Sequence, residues 1–254
     1  MNGVSNVVPG EICAGGSCAR AASAADPSNS HARSASVATK PVPWKRIELL
    51  GLAVILILFN GPILLGGVSN SQLLFLPEAV GRGEWWRLFT HPFIHVTWLH
   101  LLLDGAAFLL LYHDLQQHPF WQRFVFSIGS AIGSLAVCLA ADPFLSTQGL
   151  CGISAIAHGL MVISALHLMR EREDKMLFRM GLCSFVLVIV KCLIEVITGK
   201  MLFTFLYFGM VGDPVAVTHA GGVLGALITW IICGMNGAKE PKVRSNFRQV
   251  LECG

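Results

Sequence analysis

Charge is scarce in this chain. Aspartate, glutamate, lysine and arginine together make up 13% of its 254 residues, against about 25% in an ordinary soluble domain. The 18 basic residues exceed the 15 acidic ones by only three, and the basic residues gather at the ends of apolar runs. No basic stripe runs along one face, so nucleic acid is not an expected partner. Cysteine pairing is also thin. Five of the eight cysteines (Cys138, Cys151, Cys183, Cys192 and Cys233) fall in or beside apolar segments, where a thiol behaves as a small hydrophobe. Cys13 and Cys18 form a C-x4-C pair without the second pair that would complete a metal site. No cofactor and no metal are therefore expected. The N-terminal stretch has no apolar run that could serve as a signal-peptide core. Its Ala, Ser and Gly content predicts a disordered tail over 1–43.

What the chain has instead is apolar sequence. Hydrophobic residues make up 54% and the mean hydropathy is +0.64. The apolar residues cluster into blocks close to the ~20 residues needed to cross a bilayer. Six spans are predicted, at 47–66, 97–112, 122–140, 151–168, 182–198 and 216–234. The expected fold is all-α, a six-helix membrane domain over 44–236, followed by a tail over 237–254. The second span is short, but Trp98 and Tyr112 at its ends suit the membrane interface. The connection over 67–96 carries its own apolar and aromatic residues, so it is expected to lie partly in the membrane surface.

Lysine and arginine near the span ends set the orientation. Twelve fall on one side (Lys40, Lys45, Arg46, Arg123, Arg170, Arg172, Lys175, Arg179, Lys239, Lys242, Arg244, Arg248) and three on the other (Arg82, Arg87, Lys200). Both termini are expected to be cytoplasmic. Small residues four apart recur in three spans: Gly129 with Gly133, Ser130 with Ser134, Ala155 with Gly159, Gly221 with Gly225, and Gly222 with Ala226. Such pairs let helix backbones approach closely in a bundle.

Polar side chains inside spans are expensive, and their positions are informative. His100 and Asp104 share a face of span two, Ser154 and His158 share a face of span four, and His219 lies in span six. Spans two, four and six all run inward from the outer side, and these groups lie in their first halves. At 1.5 Å per residue, Ser154 and His219 each fall only ~5 Å below their helix starts. Three helices thus bring polar groups to one depth near the outer leaflet. A serine hydroxyl becomes a nucleophile when a neighbouring base takes its proton, and histidine is the usual base near neutral pH. An acyl-transfer reaction further needs donors for its oxyanion, for which His100 and the backbone N–H of Ser154 are candidates. Against this stand plain structural roles: a membrane serine is commonly a packing residue, and a lone histidine a satisfied core group.

Three passages change the balance: GEWWRLFTHPFIHVTWLHLLLD at 83–104, GLCGISAIAHG at 149–159 and THAGGVLGA at 218–226. Together they resemble the rhomboid family of intramembrane serine proteases. In that resemblance Arg87 matches the family's first-loop Arg, His100 its second-helix His, Ser154 the nucleophile of its G-x-S-G helix start, and His219 the sixth-helix base. The likeness covers about 47–234 and is nearest the bacterial rhombosortase subgroup. It implies cleavage of single-span membrane substrates near the extracytoplasmic side, with a C-terminal sorting signal as substrate for that subgroup. It also implies a bacterial inner-membrane location and a Ser–His dyad without a third acidic member. Span five and the loops at 67–96 and 199–215 are then the expected gate and cap.

Two positions depart from the family pattern. Ala155 stands where Gly is usual, a small residue that preserves close packing. Asp104 stands where the family has Asn. An ionised carboxylate only accepts hydrogen bonds and would oppose an oxyanion, so Asp104 is expected either to be protonated or to turn toward His100. His158 occupies the place of an aromatic that stacks on the base; it could stack likewise or bond the dyad directly. Lys191 and Glu195, four apart on span five, are expected to pair and to hold that helix against spans two and four. The rival readings are a catalytically inactive rhomboid-like protein that binds and traffics membrane helices, and a small transporter with a histidine relay. The presence of both Ser154 and His219 argues against the first. The lack of internal repeats and of a proline at mid-span argues against the second.

Overall fold

A computed structural model describes residues 43–143, 145–202, 205 and 215–235. The tails expected at 1–43 and 237–254 lie outside these residues, apart from Pro43, and so does most of the 199–215 loop. The chain forms ten α-helices among the described residues: α1 Pro43–Phe59, α2 Gly61–Gly66, α3 Pro77–Gly81, α4 Arg87–Thr90, α5 Trp98–Asp114, α6 Phe120–Ala141, α7 Leu145–Gln148, α8 Ser154–Leu168, α9 Lys175–Thr198 and α10 Val217–Met235. No strand occurs among them. A single antiparallel bridge joins Phe75 to Leu150.

Three helices, α6, α9 and α10, are long and apolar enough to cross a membrane. A fourth span arises if the pair Arg87–Phe93 and Trp98–Gln117, bent by 93°, counts as one. α8 is shorter. Its 15 residues reach only ~22 Å, less than the ~30 Å of a bilayer core. The first expected span is also not one helix, because it breaks at Asn60 between α1 and α2. Pro62 has no N–H to continue the α1 ladder. The buried Asn60 side chain instead donates to Leu56 O (2.8 Å) and Phe93 O (2.7 Å) and accepts from His95 N (2.9 Å). Helix α9 starts seven residues earlier than the hydropathy suggested, because the Asp174 carboxylate accepts from the N–H groups of Met176 and Leu177 and caps it.

The bundle is apolar outside and polar inside. α6 exposes Ile128, Ile132 and Leu139, α9 exposes Leu187, Leu193 and Ile197, and α10 exposes Leu224, Ile228 and Ile231. Buried within are Ser130, Ser134, Ser164, Glu195, Thr218 and His219. That inversion suits lipid as the outer solvent. Tyr112 departs from its expected interfacial place. It is buried, its hydroxyl bonds the Glu48 carboxylate at 2.5 Å, and Arg123 reaches the same carboxylate at 2.7 Å while lying over the Tyr112 ring. This cluster ties α1, α5 and α6 at one end of the bundle. Beside it, burial pushes the His118 imidazole below its usual pKa range, and its Nδ1 bonds Gln122 at 2.9 Å.

At the other end, the 67–96 connection folds on itself. Arg87 is buried; its Nη1 donates to Ser71 O (2.8 Å) and Leu74 O (2.7 Å), and Nη2 meets the Glu84 carboxylate at 2.6 Å. Thr90 donates to Leu73 O and Trp86 to Gln72 O. The segment is thus an ordered cover, pinned by the Phe75–Leu150 bridge to the chain just before α8.

α8 is the central helix, packed by α5, α6, α9 and α10. The small residues read from the sequence form its seams. A Cβ at Gly222 would run into the Ala155 carbonyl, one at Gly225 into the Gly129 carbonyl, and one at Gly133 into Gly221 O and, at 2.7 Å, Gly225 Cα. Backbone lies against backbone along α6–α10 and α8–α10. Gly133→Ala is therefore expected to lower the melting temperature in detergent, by overpacking worth roughly 1–3 kcal/mol. Gly234→Ala on α10, with nothing within 4 Å of the added carbon, is expected to be neutral or slightly stabilising. Equal effects would show that the seam is not the close contact described.

Candidate active site

The close α8–α10 seam decides which side chains can meet. Two glycines with positive φ, Gly149 (73°) and Gly152 (100°), turn the chain into the start of α8. Gly152 N donates to His91 O at 3.1 Å, which holds that turn under the 67–96 cover. Ser154 is then the first residue of α8, half-buried, at a helix start with no side-chain cap. Its Oγ lies 3.2 Å from Nε2 of His219, which is 1% exposed. A hydroxyl at hydrogen-bond distance from an imidazole nitrogen is the arrangement that nucleophile activation needs.

His158, one turn further along α8, lies flat on His219, with ring centroids 4.0 Å apart and planes 20° from parallel. Of the two expectations for His158 the structure has the stacked one. Its Nδ1 hydrogen goes to Ser154 O at 2.7 Å, which fixes the ring's orientation from its own helix. Asp104 turns toward His100, with Oδ2 2.8 Å from His100 Nε2. His100 is itself held edge-on by the buried His95, at 4.9 Å between centroids. This pair sits against the turn before α8: a Cβ on Gly152 would come within 3.2 Å of the His100 ring. The five residues singled out from the sequence thus form two groups. Ser154, His158 and His219 are in direct contact, and His100 with Asp104 flank the turn that presents Ser154. A small pocket lined by His91, Cys151, Gly152, Ser154 and Thr218 opens beside the serine.

Glu195 went unassigned to this site in the sequence reading. Lys191 Nζ does reach Glu195 Oε1 at 2.6 Å, as expected for residues four apart. The carboxylate's other oxygen, however, lies 2.7 Å from His219 Nδ1 on α10. Lys191 Nζ is 3.2 Å from the same nitrogen, and Leu202 N donates to Oε1 at 2.9 Å. The pair therefore bonds across to α10, which corrects the expectation that it holds α9 against α5 and α8. A signal was present in the sequence. Span five runs antiparallel to span six, so polar groups near its end fall beside the start of α10, at the depth of His219. Glu195 is three residues from the end of α9, again ~5 Å by helix rise. Among the described residues no group of three or more His, Cys, Asp or Glu is placed to hold a metal ion.

These features define a class: a multi-pass helical membrane protein with a half-buried serine in contact with a buried histidine. The Rhomboid domain family model matches residues 82–235, more than half of the chain, and the chain belongs to the rhomboid family. Members of that family are in general serine intramembrane proteases that act on transmembrane substrates. No curated protein matches the chain.

The shared carboxylate has a consequence for stability. Glu195 is fully buried and the Lys191 side chain is 20% exposed. Glu195→Leu strands the ammonium beside His219 and is expected to be the more damaging change, by roughly 3–5 kcal/mol. The double change Lys191→Leu/Glu195→Leu is expected to melt closer to wild type. Melting temperatures of the three proteins in detergent check this. A single variant as stable as wild type would show that the two charges do not depend on each other.

Proposed function

We propose that the chain is an intramembrane serine endopeptidase with Ser154 as nucleophile and His219 as its base. The 3.2 Å contact between Ser154 Oγ and His219 Nε2, at the half-buried start of a short helix, is the observation that carries this reading. His219 takes the hydroxyl proton as Ser154 attacks the scissile carbonyl, then returns it to the leaving amine nitrogen. Water repeats the cycle on the acyl-enzyme and releases the second product. The better-placed oxyanion donor is the backbone N–H of Ser154, since α8 begins there without a side-chain cap. His100 directs Nε2 to Asp104, so this pair backs the Gly152 turn rather than supplying the main donor.

The reading extends to a six-helix domain over 44–236, with α1, α5, α6, α8, α9 and α10 as the spans. The tails 1–43 and 237–254 would both be cytoplasmic, in a bacterial inner membrane. Substrates are single-span proteins cut near the extracytoplasmic side. The sequence likeness favours a rhombosortase-type substrate, a small-residue motif followed by a membrane helix and a basic tail.

Ser154→Ala and His219→Ala are each expected to abolish cleavage of single-span substrates in liposomes, and the double change to do no more, because the two residues act as a unit. A fluorophosphonate should label the wild type on Ser154 and label neither variant. Cleavage by purified Ser154→Ala would overturn the assignment. A folded wild type that neither cleaves nor labels would favour an inactive, helix-binding member of the family.

The His100–Asp104 pair gives a separate test. Asp104→Asn is expected to retain cleavage, since its amide oxygen can still accept from His100. His100→Ala should cost less than the roughly 10²–10³-fold lost with a dedicated oxyanion donor. Rate constants at saturating substrate check both, and a dead Asn variant would show that the charge itself is required.

A further inference from the structure

We infer that Glu195 is a positioning residue that completes a Ser154–His219–Glu195 triad, an inference that rests on the hydrolase reading above. A neutral imidazole carries one N–H, and only the other nitrogen can accept a proton. His219 Nε2 faces Ser154 Oγ at 3.2 Å, so the hydrogen must reside on Nδ1. Two groups compete for Nδ1. Glu195 Oε2, at 2.7 Å, accepts a hydrogen from it; Lys191 Nζ, at 3.2 Å, would donate one to it. The contacts are mutually exclusive for one tautomer. The ammonium alone would draw the Nδ1 lone pair, put the ring hydrogen on Nε2 and leave nothing to accept the serine proton. The carboxylate enforces the productive tautomer. It also stands against the positive charge that develops on the ring when Nε2 takes the proton from Oγ; that proton leaves with the amine, and Glu195 itself stays ionised.

The arrangement exceeds what neutralising Lys191 would require. One oxygen meets Lys191 and Leu202 N, and the second is given to His219. The carboxylate is wholly buried, and each of its oxygens has a donor, which fixes its plane. On the opposite side the flat contact with His158 holds the ring of His219. The imidazole is thus fixed by a charge at Nδ1 and a stacked ring on its face.

The test separates the carboxylate's action on His219 from its pairing with Lys191. Four full-length proteins are compared in liposomes: wild type, Lys191→Met, Glu195→Gln and the double variant. Each is assayed for kcat, KM and the rate of fluorophosphonate labelling, with melting temperature alongside. Lys191→Met is the reference, because the carboxylate still holds Nδ1 in it. In that background, adding Glu195→Gln is expected to lower kcat and labelling rate together, by roughly 10²–10⁴-fold, with KM almost unmoved. Glu195→Gln alone should be worse still, because the ammonium is then free to take Nδ1. Should that single variant fail to fold, the double variant, which strands no charge, still decides the matter. A double variant that cleaves and labels as fast as Lys191→Met would overturn the triad and leave a structural ion pair. A wild type that is not labelled on Ser154 would overturn the hydrolase reading, and the triad with it, before any Glu195 variant is compared.

Discussion

A polar group in hydrocarbon has to find its partner within the protein, because the solvent offers none. Nearly every notable feature of this bundle follows from that requirement. Asn60 satisfies three backbone contacts at once. Arg87 turns a loop's carbonyls inward onto its guanidinium. Glu48 is shared between Tyr112 and Arg123, and Glu195 between Lys191, Leu202 and His219. In water each of these groups could have been satisfied separately. In a membrane the same scarcity of partners concentrates them into a few shared nodes. One such node sets a serine hydroxyl, an imidazole and a carboxylate in successive contact.

Close backbone contact is what makes that node possible. The side chains of Ser154 and His219 are both short, and they can meet only if their helices nearly touch. Ala155 and Gly222 at the α8–α10 crossing, and Gly129, Gly133, Gly221 and Gly225 at α6–α10, remove the carbons that would hold the helices apart. The seam is packing, yet it sets the distance between Ser154 and His219 on which the proposed chemistry depends. The shortness of α8 has the same character. A helix of 15 residues cannot reach both faces of a membrane, so one of its ends is left within the bundle. The 67–96 segment covers the gap, joined to it through Phe75 and Leu150 and through the His91 carbonyl.

Much of this was open to inspection in the sequence. The apolar blocks marked the membrane class, and residues four apart marked the helix faces that later met. His100, Ser154 and His219 were expected at one depth, because each sits near the start of a span that runs in the same direction. Composition and helical rise carry that information, since both are local and the bilayer fixes the axis along which depth is counted. The pairing of Lys191 with Glu195 was legible for the same reason: one turn of helix settles it. The break at Asn60 was less so, because hydropathy runs on through Pro62 although the hydrogen-bond ladder does not.

Rotation about each helix axis, and hence which neighbour a polar face meets, is not written in any single span. The one-turn spacing paired Glu195 with Lys191 but did not set its direction, and only packing against α10 turned it onto His219. The same holds for Asp104, whose choice between protonation and a turn toward His100 depended on a ring held in place by His95. It holds for Tyr112, whose position at a span end suggested the interface until Glu48, 64 residues away, drew it inside. The sequence by itself determined the solvent, the helix faces and the depth of each polar group, because these follow from composition and a fixed rise per residue. The tertiary structure alone decided which partners those groups share, because that depends on helix rotation and on contacts between residues far apart in the chain.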